Sequence, residues 1–374
     1  MRIGIDARMF SSSFTGIGRY TFELVRHLNI LDQENNYVIF LNSPEYEKFQ
    51  LPSSHFTKRL ANAQHYSWRE QVYFCRLLKK EKLDLMHFTH FNAPFFYRKP
   101  SVVTIHDLTL SFFPGKKMTS WLHRIGYYLV LHSIVKRAKK IIAVSKNTKK
   151  DLEKICRIDA KKLQVIYEGV AEEFFRKMPT KSIATTLDKF NLKQDFLLYT
   201  GVWRDHKNVT GLITAFAQAR KNGLNGLLVI TGKENPAYPE VKVKIAELNL
   251  DKFVCLTGLV SETELLALYQ SARMYVFPSF YEGFGLPILE AFASKTPVVA
   301  SNTSSIPEIC GKDNALFFDP YNTSDMAEKI LQVWRDENLR EQLIVRGQKR
   351  VQDFSWEKMA KETLRVYESV NSEQ

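Results

Sequence analysis

Short apolar runs separated by stretches of helical spacing recur along the whole chain, and that alternation restricts the fold more than any other feature. Residues 2–7, 37–41, 85–88, 101–105, 141–144 and 163–167 read as buried strands, because each run is short, apolar and rich in β-branched or aromatic residues. Between them Tyr20, Leu24, Val25 and Leu28 recur at helical spacing, residues 67–82 and 118–138 read as helices, and Ser145 is placed to cap another. Residues 174–193 are weakly periodic, hold Pro179 and several Ser and Thr, and read as a linker. The alternation then resumes with strands at 196–199, 227–230, 254–256, 274–277 and 298–300, and ends in a helix at 355–370. Two successive runs of strand and helix imply an α/β chain of two doubly wound, Rossmann-like domains. We place them at 1–178 and 190–354, which suits a length of 374 residues.

Hydrophobic residues at 45% and charged residues at 25% allow a large core. No run approaches the roughly 18 apolar residues of a spanning helix. The longest, 125–135, contains His132, and the first residues enter a strand with no secretory leader. The four cysteines, Cys75, Cys156, Cys255 and Cys310, are far apart and form no C-x-x-C pair, so reduced thiols in the cytoplasm and no zinc site are expected. The net charge of +13 is uneven: residues 1–180 carry 30 Lys and Arg against 16 Asp and Glu. A basic first half suits nucleic acid, an anionic membrane or an anionic acceptor. Lys136, Arg137, Lys139 and Lys140 close the 118–138 helix. They complement the helix dipole, and they also fit a surface element that lies on a membrane.

The densest chemical signal is residues 275–302, YVFPSFYEGFGLPILEAFASKTPVVASN. A strand, a Pro278-Ser279 turn, a glycine-spaced loop from Glu282 to Pro287, a helix starting near Pro287 and a second strand follow one another. A helix N-terminus opened by glycines offers backbone N–H groups and the positive dipole end to a phosphate. Glu282 stands before that helix and Glu290 about one turn inside it, where it can accept hydrogen bonds from a diol such as a ribose. The same spacing suits a buried strand–helix turn with two surface glutamates, and glycines alone do not separate the two.

Other strand ends carry further candidates. The 101–105 strand stops at His106-Asp107, where open α/β sheets bind ligands, and Asp107 is placed to orient the imidazole. The 196–199 strand runs into Thr200-Gly201-Val202-Trp203-Arg204-Asp205-His206-Lys207-Asn208, with Arg204 and Lys207 in reach of a pyrophosphate. Another strand ends in Thr257-Gly258-Leu259-Val260. After the first strand come Ser11, Ser12, Ser13, Thr15, Gly16 and Gly18, again an anion cradle. Only G-x-G is present there, followed by Arg19, so the dinucleotide fingerprint is incomplete and a nicotinamide dehydrogenase is disfavoured. No Asp-x-Asp metal motif stands at a strand end.

PSFYEGFGLPILEAFASKTPVVAS, with Glu282, seven residues, then Glu290, resembles the signature of glycosyltransferase family 4. VVTIHDLT, Lys207-Asn208 and Ser304-Ser305-Ile306-Pro307-Glu308 fit the same family. The resemblance implies the GT-B fold, two Rossmann-like domains facing across a cleft with the last helix, 355–374, returning to the first. It implies a retaining transfer from a nucleotide sugar with neither metal nor cofactor. By residue, it implies that Arg204 and Lys207 clamp the diphosphate, although many members carry the arginine nearer the glycine, where this chain has Val202. Glu282 and the backbone of Gly283, Phe284, Gly285 and Leu286 would orient the sugar, and Glu290 would hold the ribose. Gly258 and Val260 would hold the base by backbone groups, His106 would touch the donor sugar, and Gly16 would lie over the cleft. TIHDL with YEGFGLPILEA is similar to bacterial mannosyltransferases of surface-polysaccharide synthesis. The donor expected is GDP-mannose, with rhamnose, glucose and N-acetylglucosamine donors open. The acceptor expected is a glycan, polyprenyl-diphosphate-linked, at the inner face of the plasma membrane. A nucleotide-sugar epimerase, a phosphorylase and a basic nucleic-acid-binding module are the rival readings. The last lacks aromatic-interleaved basic strips, and nucleic acid is not an expected partner.

Overall fold

The computed structural model describes residues 1–10, 16–65, 67–116 and 121–372. The chain divides into two compact units. Unit 1 gathers Met1–Leu108, Met118–Gly169 and Ser355–Gln374, and unit 2 gathers Thr109–Lys117 and Val170–Phe354.

Unit 1 is built on seven strands: β1 Arg2–Asp6, β2 Asn36–Leu41, β3 Phe56–Leu60, β4 Leu85–Phe88, β5 Ser101–Ile105, β6 Lys140–Ala143 and β7 Leu163–Val165. They lie in the order β3-β2-β1-β4-β5-β6-β7, every neighbouring pair parallel. Ile3, Ile5, Val38, Ile39, Val102, Val103 and Ile141 are fully buried, as a parallel sheet covered on both faces requires. β3 was not expected: its sequence, FTKRL, is half-exposed because it forms an edge of the sheet.

The Gly16–Leu31 helix buries Tyr20, Leu24, Val25 and Leu28, and the Trp356–Ser372 helix packs beside it. The latter buries Trp356, Met359, Ala360, Thr363, Val366, Tyr367 and Val370, the three-and-four spacing of a one-faced helix. A buried hydrogen-bond chain ties both helices to the sheet. Tyr367 Oη meets His87 Nδ1 at 2.6 Å, His87 Nε2 meets Thr104 Oγ1 at 2.9 Å, and Thr104 meets Tyr20 Oη at 2.9 Å. Burial, with His106 nearby, pushes the His87 imidazole down to about 3, so it stays neutral.

Two helix expectations change in detail. Residues 67–82 begin as a π-helical turn, Glu70–Phe74, and continue as the helix Cys75–Lys80. The helix read at 118–138 runs Trp121–Arg137, with 118–120 outside the described residues.

Unit 2 carries β8 Phe196–Thr200, β9 Leu227–Thr231, β10 Val254–Gly258, β11 Met274–Phe277, β12 Val298–Ser301 and β13 Leu316–Phe318. Their order is β10-β9-β8-β11-β12-β13, again all parallel. β13, three residues at the sheet edge, was not read from sequence. The stretch 174–193, expected as a linker, contains the helix Thr180–Lys189, which packs on the helix Glu262–Ser271. Its Ser and Thr content lowers helix propensity, but Thr185 and Thr186 donate their hydroxyls to the carbonyls of Lys181 and Ser182, and the helix accommodates them.

Candidate active site

In unit 2 the sheet order reverses at β8 and β11, so the loops that follow these strands leave in opposite directions and open a crevice. Those loops are Gly201–Asn208 and Pro278–Gly285, the two that carry Lys207 and Glu282. They are joined by backbone and side chain. The Phe280 N–H donates to the His206 carbonyl at 2.8 Å. Asn208, in the left-handed region at φ 53°, donates its amide to the carbonyls of Pro278 at 3.2 Å and Pro320 at 3.0 Å. Lys207 Nζ then meets Glu282 Oε1 at 2.7 Å, with the side chains 20% and 13% exposed. Asn208→Ala strands two buried carbonyls and leaves at positive φ a residue that tolerates the left-handed region less well than asparagine. We expect it to cost about 2–4 kcal/mol in urea unfolding.

The turn around Glu282 is fixed from below by two serines. Ser304 Oγ donates to the Glu282 carbonyl at 2.6 Å and accepts from the Glu282 N–H at 3.1 Å. Ser305 Oγ donates to the carbonyls of Glu282 at 3.0 Å and Phe284 at 2.9 Å. Gly285 then turns the chain at φ +120°, a conformation closed to side chains, and the helix Leu286–Ala293 begins with Pro287 in its first turn. Gly283 and Phe284 are buried and Leu286 is partly exposed at the helix entrance. Glu290, on the same helix, accepts from Tyr269 Oη at 3.0 Å through Oε2. That tyrosine is fully buried, and burial and the Glu290 charge hold its phenol well above its usual range, so it acts as a donor.

Arg204 lies on the Lys207 loop, is exposed, and makes no ion pair among the described residues. β10 ends at Gly258 with φ +68° and open space where a Cβ would stand, and its carbonyl accepts from the Gly232 N–H and Thr231 Oγ1. Val260, two residues on, is partly buried.

In unit 1, His106 ends β5 as read, but its partner differs from the one expected. Nδ1 meets Glu168 Oε1 at 2.8 Å and Nε2 meets the Thr89 carbonyl at 2.9 Å. The two contacts engage both ring nitrogens and hold the imidazole in place. Asp107, expected to orient the ring, does not take either nitrogen. Glu168 does, from 62 residues away in sequence, and no local spacing points to it. Gly16 is exposed at the start of its helix, and residues 11–15 of its cradle lie outside the described ones.

Sequence reading also missed a buried charge cluster beside the ends of β1 and β4. Arg8 grips both Asp6 oxygens, at 2.8 and 2.7 Å, and reaches Glu70 Oε1 at 2.9 Å. Burial opposes the Glu70 charge, but His65, Arg8 and Asn92 overcome it and hold the carboxyl at about 2. Among the described residues no group of three or more His, Cys, Asp and Glu is arranged to hold a metal ion.

A two-sheet parallel chain with its candidate donor residues at the switch point of the second sheet defines the GT-B class of sugar transferases. The matches agree. Residues 14–174 fit the Glycosyltransferase Family 4 model and residues 187–350 the Glycosyl transferases group 1 model. The chain belongs to these families and is a glycosyltransferase. It is 27% identical to O-antigen chain mannosyltransferase B of Escherichia coli over 383 residues, taking in 98% of this chain and 99% of the relative. Among solved structures, sucrose-phosphate synthase from Thermosynechococcus elongatus superposes with a TM-score of 0.79 at 21% identity, over 100% of both chains. Anabaena Alr3699/HepE in complex with UDP-glucose gives a TM-score of 0.79 at 17% identity, over 99% of this chain and 100% of that one.

Proposed function

We propose that the protein moves a hexose, with retention, from a nucleotide sugar to a glycan acceptor, and that the donor is GDP-mannose. The observation that carries the donor half is the Lys207–Glu282 contact at the unit 2 switch point, beside a helix opened by Gly285. Lys207, with Arg204, neutralises charge on the departing diphosphate. Glu282 and the backbone at Gly283 to Leu286 orient the sugar hydroxyls, and Glu290, already aligned by Tyr269, accepts from the ribose diol. Gly258 and Val260 flank the base. In the transfer the anomeric carbon loses its bond to the diphosphate oxygen and gains one to the acceptor oxygen, and the leaving diphosphate takes the acceptor proton. No enzymic nucleophile is required.

Unit 1 takes the acceptor, and His106 and Gly16 are its candidate residues. The Glu168 and Thr89 contacts occupy both ring nitrogens of His106 and fix its orientation. Mannose is favoured by the full-length likeness to O-antigen chain mannosyltransferase B, which also supports a role in surface-polysaccharide synthesis on a polyprenyl-diphosphate-linked acceptor. The UDP-glucose bound in the Anabaena structure keeps a uridine donor as the second reading.

A panel of nucleotide sugars in a thermal-shift assay tests this. A donor at about 100 times its Kd stabilises the protein by about 2.7 kcal/mol. GDP-mannose should raise the melting temperature most, and Glu290→Ala should weaken that donor roughly tenfold through loss of one or two hydrogen bonds to a charged group. Unchanged affinity for every nucleotide sugar would remove Glu290 from the ribose.

A further inference from the structure

Unit 1 exposes large apolar side chains on three segments that touch one another. Trp68 is 83% exposed, Phe96 55%, Trp121 67% and Leu129 61%. Tyr73 and Phe95 stand between them, also exposed. The segments are the π-helical turn Glu70–Phe74 with the residues before it, the loop 94–99, and the outer side of the helix Trp121–Arg137. Contacts join them. The Phe95 N–H donates to Gln71 Oε1 at 2.7 Å, and the Arg137 guanidinium lies 5.3 Å from the Phe95 ring.

The helix Trp121–Arg137 is apolar on two sides. Tyr127, Leu131, Ile134 and Val135 face the core, while Trp121, Ile125 and Leu129, four residues apart, face out. Such a stripe is not needed to hold the helix on its own unit. The wide π turn similarly leaves Val72 and Tyr73 outside together.

The charges on this face have one sign. Arg69, Arg76, Lys79, Lys80, Arg98, Lys99 and Arg124 are exposed. Across residues 67–80, 94–99 and 121–140 the one carboxylate is Glu70, which is buried against Arg8. Aromatic and aliphatic tips amid cations with no exposed acid match a bilayer interface, where rings sit at headgroup level and cations meet anionic lipid. The expectation from sequence centred on the basic end of the 118–138 helix. In the structure Arg137 is instead partly buried, bonded to Ser133 and the Pro94 carbonyl, and the outward face lies along the aromatic stripe.

We propose that this aromatic-cationic face of unit 1 docks on an anionic lipid bilayer. Docking is peripheral, since among the described residues no helix is long and apolar enough to cross a membrane. The inference adds a surface to the function proposed above, and its test needs no sugar substrate.

The full chain is co-sedimented with vesicles of phosphatidylglycerol and phosphatidylcholine, and with vesicles of phosphatidylcholine alone. We expect binding to the anionic vesicles, weakened by added salt, with a blue shift of tryptophan emission. Trp203 and Trp356 are 3% exposed and Trp334 is partly buried, so the shift reports Trp68 and Trp121. Replacing both by Phe should abolish the shift. Arg98→Glu with Lys99→Glu should lower partitioning by about tenfold or more, each lost cation removing a several-fold factor and each new carboxylate adding repulsion. Trp68→Ala with Phe96→Ala should do the same at unchanged charge, and the exposed positions keep the melting temperature intact. Equal partitioning on both lipids, no effect of either double variant, or binding to a labelled oligonucleotide with no vesicle binding would overturn the proposal. Nucleotide-sugar thermal shifts on the same variants separate this outcome from the donor reading, because they should remain unchanged.

Discussion

Lys207→Ala is expected to lower turnover by roughly 10²–10³-fold while leaving the melting temperature nearly unchanged. The size of the loss follows from removing a cation aimed at charge that develops on the leaving diphosphate. The small stability effect follows from the setting of the ion pair. Lys207 and Glu282 meet at 2.7 Å, but both side chains keep contact with solvent, so screening holds their net worth to about 0–1 kcal/mol. The loop is held without them, by Asn208 across to Pro278 and Pro320 and by Ser304 and Ser305 beneath Glu282. Lys207→Arg should recover part of the rate, since charge is kept but the compact ammonium is not. Arg204→Ala, at an exposed guanidinium, should cost about tenfold in rate and nothing in stability. Steady-state kinetics with the donor identified by thermal shift, alongside melting curves, checks all three. A Lys207→Ala enzyme within tenfold of the parent would make the pair a structural bridge and remove it from the reaction.

The second large effect is on folding. Arg8→Ala should destabilise the protein by about 3–5 kcal/mol, because it leaves Asp6 and Glu70 buried without their cation. It also removes a guanidinium stacked 3.9 Å from the Phe74 ring centre. Set against typical totals of about 5–15 kcal/mol, this is a large share. The pH dependence has a definite sign. The native Glu70 carboxyl is held at about 2, below its ordinary 4.5, so its contribution is complete above 4.5 and fades as pH falls toward 2. In Arg8→Ala, burial acts on Glu70 with less opposition and its pKa rises. The gap between variant and parent should then narrow as the medium is acidified through this range, because a protonated Glu70 no longer wants a cation. Urea melts at several pH values read this directly. A gap that stayed constant on acidification would show that Arg8 stabilises by packing alone.

Much of the architecture was legible because parallel strands covered on both faces must be apolar along their length. β1, β2, β4, β5, β6, β8, β9, β11 and β12 all announce themselves that way. Two of the four edge strands do not: FTKRL in β3 buries only Phe56, and β13 is three residues long. The helix Thr180–Lys189 hid behind its Ser and Thr, whose hydroxyls are absorbed by its own carbonyls. In the site, Lys207 and Glu282 were visible because each stands in a glycine-marked loop at a strand end, and the sheet order brings those two loops together. The groups that set their partners' geometry were not visible. Glu168 reaches His106 across 62 residues, Arg8 meets Glu70 across another 62, and Tyr269 meets Glu290 across 21. Such pairs are made by tertiary packing, and nothing in local spacing encodes them. The adjacent Asp107 was the natural local guess, and the fold chose a distant carboxylate.

Because Trp356–Ser372 completes unit 1, a ribosome hands over the first sheet long before it delivers the helix that covers it. Throughout translation of unit 2, the nascent first lobe carries an open apolar flank around Tyr20 and His87. A premature stop anywhere after β13 therefore injures the lobe made earliest, and a tag fused at the carboxyl end is a tag on the amino-terminal lobe.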